Sequence, residues 1–374
     1  MSIKPSYRFA LIDSRYTVSG DGLIDIVDSW DGVERWWRQR KSQTEILIGY
    51  IGYEQGYKFI EAPRNSILWQ KKPDSLTMPP VYFGRFRRTV RQRTKPPAVT
   101  KQALLKNSQL INQRSYQNMF ATVQRHLRAG DIYQANIAAR LNGLATTTPI
   151  ESFWQIFGRQ PVSYGAYIQT PEFSIASGSP ELFLRIQGAS IETRPMKGTC
   201  PRGQTRAQDD KLKQDLLHSI KEQAELDMII DVHRNDLAKT CKPGSVRVIR
   251  RREFVPFTTV WQAQARISAE RQRQFSPLDT ITTCFPAGSV TGAPKLRAME
   301  IIHELEPVPR QVYCGAIGYI KATGDAEFNV AIRTAILKNQ QLYYYAGGGI
   351  TIGSTATAEW QELLNKKTVI TTNE

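Results

Sequence analysis

Four glutamates recur at one spacing in two segments that have helical patterns. Glu222 and Glu225 lie in a long charged tract, and Glu359 and Glu362 lie near the C-terminus. A separation of three residues places both carboxylates of a pair on one face of a helix. Two such faces brought together would offer four oxygen ligands without nitrogen or sulfur, a set that suits Mg²⁺. A single pair is more typical of a solvated helix surface, so the spacing leaves both interpretations open.

Three glycine-bearing runs and two cations could bind an anion. Clustered glycines expose backbone N–H groups, but the runs match neither a Walker A motif nor GxGxxG, and tight turns are an equal alternative. Arg333 falls in an otherwise apolar strand pattern and needs a partner, either a ligand carboxylate or an internal salt bridge. Lys197 precedes Gly198 and becomes a nucleophile or base if its pKa is lowered, although most lysines are simply solvated. The runs are FPAGSVTGAPK, YCGAIGY and YYAGGGITIGS.

Composition narrows the classes of protein that fit the chain. The 374 residues are 41% hydrophobic and 22% charged, as in ordinary soluble globular proteins. No apolar run reaches the roughly 18 residues of a membrane helix, and the N-terminus has no pattern of a secretory signal. Four dispersed cysteines without a CxxC pair argue against zinc and predict a reducing cytoplasm.

The net charge of +16 suggests either a nucleic-acid-binding surface or a basic enzyme with an anionic substrate and an acidic partner. The densest basic stretch, Phe83 to Lys106, contains prolines and lacks any nucleic-acid-binding motif. Charge in a solvated linker is therefore the favoured interpretation, with neither nucleic acid nor membrane as a partner.

The elements that must position these residues alternate between short β-like runs and amphipathic helices, which indicates a mixed α/β chain. Predicted helices cover 112–130, 207–239 and about 357–367. The predicted organisation is a small N-terminal region (1–90) packed on the main body, a basic linker (91–112), and a catalytic region (113–374).

Nine segments resemble, in chain order, the signature blocks of chorismate-utilising enzymes. That group includes anthranilate synthase component I, aminodeoxychorismate synthase component I, isochorismate synthase and salicylate synthase. The resemblance covers about residues 113 to 367 and implies an α/β (α+β) fold, a large two-sheet sandwich with helices on the outside. The segments are GDIYQANIAAR, SGSPELFLR, TRPMKGTCPRG, KEQAELDMIIDVHRNDLAK, PGSVRV, FPAGSVTGAPKLRAMEIIHELEP, YCGAIGYI, FNVAIRTAI and AGGGITIGSTATAEWQELLNK.

The resemblance also implies roles for individual residues. Glu225 and Glu362 match direct Mg²⁺ ligands, and Glu222 and Glu359 match an outer pair that binds through water. Glu181 matches the acid that protonates the departing C4 hydroxyl of chorismate. The positions that match chorismate-binding groups are Arg333, Tyr313, Gly347, Gly348, Gly349, Thr291 and Lys366.

Two positions separate the members of the group. The isochorismate and salicylate synthases carry a water-activating lysine where this chain has Gln134, which disfavours water as the nucleophile. PMKGT, which contains Lys197, resembles the motif of aminodeoxychorismate synthases, whereas anthranilate synthases usually have alanine there. The implied reaction is attack by Lys197 at C2, followed by addition of ammonia at C4. The ammonia would come from a separate glutaminase subunit, because the chain has no amidotransferase Cys-His motif.

Three departures from the family pattern keep alternatives open. Gln262 stands where a histidine is frequent, and an amide carries no proton at neutral pH. Ala287 replaces a usual glycine, and Gly353 replaces an acidic residue. The alternatives are another chorismate enzyme, with anthranilate synthase the nearest, and a degenerate paralogue that binds without turnover.

Overall fold

The computed structural model describes residues 7–40, 42–98, 102–159 and 161–371. In these residues, hydrogen bonds link eighteen strands into one network, and each of the strand pairings is antiparallel. The mixed α/β class is therefore confirmed. The family resemblance implies two sheets, and the observed pairings connect all of the described strands.

The strands are β1 (Arg8–Ile12), β2 (Tyr16–Val27), β3 (Ile46–Ile51), β4 (Val81–Arg93), β5 (Leu105–Gln109), β6 (Gln134–Ala145), β7 (Tyr164–Gln169), β8 (Ser174–Ser179), β9 (Leu182–Gln187), β10 (Ser190–Arg194), β11 (Met196–Pro201), β12 (Arg247–Pro256), β13 (Val260–Glu270), β14 (Gly292–Ala293), β15 (Ala316–Lys321), β16 (Ala326–Val330), β17 (Thr334–Lys338) and β18 (Gln341–Ile350). The helices are α1 (Trp30–Gln39), α2 (Gly56–Phe59), α3 (Gln113–Ala129), α4 (Pro149–Arg159), α5 (Arg206–His218), α6 (Ile220–Ala238), α7 (Pro277–Cys284), α8 (Lys295–Leu305) and α9 (Ala356–Lys367).

Helix boundaries follow local capping chemistry. The Asn112 side chain accepts a hydrogen bond from the Ser115 N–H at the start of α3, and Gly130 ends the helix in the left-handed conformation. The tract predicted as one helix over 207–239 is divided at Ser219, whose hydroxyl caps α6 by accepting from the Glu222 N–H. The start of α6 therefore fixes the position of Glu222.

The ladder of β6 with β18 lies between two hydrophobic clusters. Ala138 and Tyr345 belong to one cluster, whereas Ile137, Ala139 and Tyr344 belong to the other. Side chains alternate between the two faces of a strand, so a ladder with apolar residues on both faces is buried on both sides. Gly347 and Gly348 of β18 are consequently buried, while Gly349 is partly exposed.

Strands of the N-terminal region join the strands of the rest of the chain. β3 pairs with β15, and β1 pairs with β7. The segment predicted as a basic linker contains the end of β4 and all of β5, which pairs with β6, while residues 99–101 of that segment lie outside the described residues. Among the helices described, none has the length and apolar character needed to cross a bilayer.

Candidate active site

The glycines of β18 form the floor of the candidate site. A Cβ atom at Gly348 would lie 2.9 Å from Glu359 Oε2 and 3.4 Å from Glu362 Oε1. A Cβ atom at Gly349 would lie 2.7 Å from Lys197 Nζ. The missing side chains therefore allow two carboxylates and one amine to approach the backbone of the same strand.

The two glutamate pairs converge on this floor from α6 and α9. Burial raises the pKa of Glu222, and the negative charges of Glu225 and Glu362 raise it further. The pKa of Glu359 is raised by burial and also by Glu362, although a hydrogen bond from Ser354 opposes the shift. The mutual repulsion shows that carboxylates from both helices share one region.

Two lysines neutralise part of this negative charge. Lys221 Nζ lies 3.8 Å from Glu225 Oε1, and Lys366 Nζ lies 2.6 Å from Glu362 Oε1. Lys366 also donates to the carbonyl oxygen of Gly347 at 2.6 Å. Partial removal from water would raise the pKa of Glu362, but Lys366, together with the charges of Lys197 and Lys221, outweighs that effect and the pKa is lowered.

The donor set of this region fits a hard divalent cation. Thr351 donates from Oγ1 to Glu225 Oε1 at 3.3 Å, so a hydroxyl oxygen joins the carboxylates. Oxygen ligands alone suit Mg²⁺, and clustered carboxylates gain from a cation that offsets their repulsion. Within the described part of the chain, no three His, Cys, Asp or Glu side chains already have metal-binding geometry. Glu225 and Glu362 would have to exchange their lysine partners for the ion.

Glu181 is a buried carboxyl group immediately before β9, only 3% exposed. Burial raises its pKa to about 7, although the Ser289 hydroxyl bond, the Lys197 charge and the Met196 N–H bond act in the opposite direction. A carboxyl group with this pKa retains a proton near neutral pH and can act as a general acid. This pKa suits the acid role that the resemblance implies for Glu181, and the role itself stays a prediction.

Lys197 lies on β11 where the pairing with β13 shifts register between Met196 and Thr199. Gly198 follows with a φ of +82°, and a Cβ atom there would be 3.0 Å from Glu222 Oε2. Only glycine adopts this conformation without strain. The irregular strand thus brings Gly198 close to Glu222 and the Lys197 amine close to Gly349, and the positive charge of Lys197 acts on both Glu222 and Glu181.

Thr291 and Tyr313 are buried beside this region. Thr291 Oγ1 donates to the Ala287 carbonyl oxygen at 3.0 Å, so Ala287 takes part in holding the loop. The Tyr313 ring stacks on Tyr345 with 5.3 Å between centroids. Tyr313 thus packs against another aromatic ring of the protein.

The predicted secondary structure at Arg333 is wrong. This residue was predicted to lie in a strand, but it occupies the connection between β16 and β17 with a φ of +50°. Its carbonyl oxygen accepts from the Gly178 N–H, and burial lowers the pKa of its guanidinium. Val330 ends β16, and the buried Ala331 that follows continues the apolar pattern although the chain turns there.

Sequence reasoning missed several polar partners of the site. Ser289 and Thr351 hydrogen-bond to site carboxylates, and Lys221 offsets the charge of Glu225. Ser289 lies inside the glycine run FPAGSVTGAPK, so its position was an available signal. The roles of Thr351 and Lys221 depend on how α6 packs against the end of β18, which the spacing does not indicate.

A family model described as chorismate binding enzyme matches residues 4–372. The chain belongs to the chorismate-binding enzyme family. Among curated members, aminodeoxychorismate synthase component 1 of Klebsiella aerogenes is 38% identical over 256 residues, which is 68% of this chain and 57% of that protein. An anthranilate synthase component 1 of Haloarcula marismortui is 37% identical over 271 residues, covering 72% and 55%. The family therefore includes relatives with two different names at nearly equal identity.

The aligned part spans a little more than half the length of these curated members. The fold is shared over a longer stretch. The crystal structure of anthranilate synthase component I from Streptococcus pneumoniae TIGR4 matches with a TM-score of 0.83 and 25% identity, covering 99% of this chain and 94% of that one. The architecture of this chorismate-binding enzyme is thus that of the component I proteins.

Proposed function

We propose that this chorismate-binding enzyme aminates chorismate at C4 and releases 4-amino-4-deoxychorismate. The observation that carries the proposal is the position of the Lys197 amine directly above Gly349, where its charge also acts on Glu222. The buried acid Glu181 experiences the charge of the same amine. A nucleophile and a proton donor are thereby available to one substrate.

In the first step, the Lys197 nitrogen attacks C2 of chorismate with its lone pair. The electrons of the C1–C2 and C5–C6 double bonds shift to C1–C6 and C4–C5, and the C4–oxygen bond breaks. Glu181 donates its proton to the departing hydroxyl, which leaves as water. The Lys197 nitrogen is then a positively charged secondary ammonium, and Glu181 is a carboxylate.

In the second step, ammonia adds to C4 and the double bonds return to their original positions. The bond between C2 and the Lys197 nitrogen breaks, and the lysine leaves as a neutral amine. The new C4 ammonium returns one proton to Glu181, so the acid is restored. The enolpyruvyl group is retained throughout.

Glu225 and Glu362 would hold Mg²⁺ directly, with Glu222 and Glu359 in an outer shell. When bound, the ion would supply positive charge that anchors a carboxylate of the substrate. The N–H groups of Gly347–Gly349, together with Lys366, Arg333, Tyr313 and Thr291, are proposed to complete the chorismate-binding site. The anchored carboxylates would fix C2 against the Lys197 amine, and this positioning contributes to the rate.

The ammonia is proposed to come from a separate glutaminase subunit. The names of the curated relatives, which designate a component 1, support a second component. Free ammonium in a purified assay would replace that subunit, provided that the site admits it from solution.

Mass-resolved product analysis with chorismate, Mg²⁺ and ammonium tests the proposal. Wild-type protein should form an aminated product that retains the enolpyruvyl group, and Lys197→Ala should lose it. Lys242→Ala is the matched control, because Lys242 pairs with Glu270 at the surface. Anthranilate and pyruvate would instead assign the enzyme to the anthranilate synthases. Absence of turnover, even with a glutaminase subunit added, would indicate a chorismate-binding protein without catalysis.

A further inference from the structure

Gln134 is a fully buried polar residue whose hydrogen-bonding groups are unused. The side chain lies at the start of β6 with 0% exposure. Neither Nε2 nor Oε1 has a hydrogen-bond partner among the residues that the structure describes. Buried polar groups are nearly always paired, so an amide with both ends unpaired requires an explanation. A group that is present only during the reaction would supply it.

Other buried glutamines of the chain show what a structural amide does. Gln124 donates from Nε2 to the Thr351 carbonyl oxygen at 2.9 Å, and Gln264 donates to Glu253 Oε2 at 2.9 Å. Gln155 accepts the Gln102 N–H with its Oε1 at 3.3 Å. Each of these amides stabilises a neighbouring segment of the fold. Gln134 has no such contact in the described residues, and stability of the fold does not account for it.

The Gln134 amide borders the same space as the Lys197 amine. A Cβ atom at Gly349 would lie 2.7 Å from Lys197 Nζ and 2.8 Å from Gln134 Nε2. The two side chains enter from different strands, β11 and β6, and meet above one glycine. A half-turn of the carboxamide about its last torsion presents either the oxygen or the NH₂ group to the lysine nitrogen.

We propose that Gln134 is a positioning residue for Lys197, and that its carboxamide oxygen accepts a hydrogen bond from the lysine nitrogen in the covalent adduct with the chorismate ring. This inference rests on the proposed function. The adduct nitrogen is a secondary ammonium with two N–H donors and no acceptor, so it needs acceptors in a buried site. A carboxamide oxygen accepts the bond without removing the proton. The nitrogen thereby keeps the proton that lets it leave as a neutral amine when ammonia adds.

The rate at which the adduct forms tests this role. Protein is mixed with chorismate and Mg²⁺ in the absence of ammonia, quenched in acid, and weighed as intact protein. The adduct adds the mass of chorismate minus one water. Gln134→Met, which keeps the length of the side chain without its polar atoms, should form the adduct roughly tenfold more slowly, the loss expected for one hydrogen bond. Gln155→Met, the matched loss of a buried amide outside the site, should form it at the wild-type rate.

The concentration of chorismate that half-saturates the reaction separates positioning from substrate binding. It should stay within about twofold of wild type in Gln134→Met, because the effect is on the step after binding. A wild-type rate of adduct formation at saturating chorismate would overturn the inference. A higher half-saturating concentration of chorismate with an unchanged maximal rate would also overturn it, since Gln134 would then bind the substrate.

A second variant covers the case in which Gln134→Met does not fold. Gln134→Asn keeps the amide but withdraws it by one methylene, and it should also slow adduct formation; a wild-type rate would contradict the positioning role. Wild-type protein that forms no adduct would overturn the proposed function together with this inference. Adduct in wild type and equally in the Gln134 variants would overturn this inference alone.

Discussion

Replacing Glu181 by glutamine should raise the free energy of unfolding relative to wild type as the pH rises, but it should reduce turnover. Burial raises the pKa of Glu181 from 4.5 to about 7. Below pH 4.5 the carboxyl is protonated in both the folded and unfolded states. As the pH rises to 7, the unfolded state loses its proton first and the folded state is destabilised. The shift corresponds to about 3 kcal/mol, which is reached above pH 7.

Glutamine has nearly the same shape and does not titrate. The free energy of unfolding, measured with urea, should therefore increase in Glu181→Gln relative to wild type as the pH rises from 4.5 to 8. The increase should reach about 3 kcal/mol. Comparing the two proteins cancels the other titrating groups. A difference that does not change with pH would contradict the buried, raised pKa.

The same variant should lose turnover, because an amide cannot protonate the departing hydroxyl. We expect kcat to fall about 10²–10⁴-fold, the usual contribution of a general acid. In wild type, kcat should fall as the pH rises through about 7, where Glu181 loses its proton. Glu270→Gln, at a surface ion pair, is the control and should retain kcat. A fully active Glu181→Gln would refute the acid role.

Three other substitutions test separate parts of the account. Gly349→Ala should reduce kcat more than about tenfold, since its Cβ would meet an amine and an amide within 2.8 Å, whereas Gly353→Ala, with open space around it, should not. Glu362→Gln should raise the Mg²⁺ concentration for half-maximal activity by at least about tenfold, and chelation should abolish wild-type activity until Mg²⁺ is restored. Arg310→Met removes the partner of the buried Glu306 carboxylate. It should lower the free energy of unfolding, measured with urea, by about 3–5 kcal/mol.

Features with local causes could be predicted from the sequence. α3 was predicted over 112–130 and is found at Gln113–Ala129, because an asparagine cap and a terminal glycine are signals within the segment itself. The mixed α/β class follows from the alternation of patterns along the chain. The run YYAGGGITIGS marked a segment that does approach polar side chains, as Gly348 and Gly349 show.

Features that depend on tertiary packing could not be predicted. The break at Ser219 lacks a glycine or proline, so the tract around it has the pattern of one helix. The turn at Arg333 is hidden among buried apolar neighbours. The spacing of Glu222 and Glu225 predicted a shared helix face, but the approach of Glu362 toward Glu222 depends on how two distant helices pack.

The most direct test of the central claim follows labelled nitrogen into the product. Purified protein is given chorismate, Mg²⁺ and ¹⁵N-ammonium, and the product is fragmented in a mass spectrometer. Amination at C4 predicts a product that has one ¹⁵N on the ring and an intact enolpyruvyl group. Lys197→Ala should not form this product. Labelled anthranilate with free pyruvate, or an unlabelled isomer of chorismate formed by attack of water, would contradict the account.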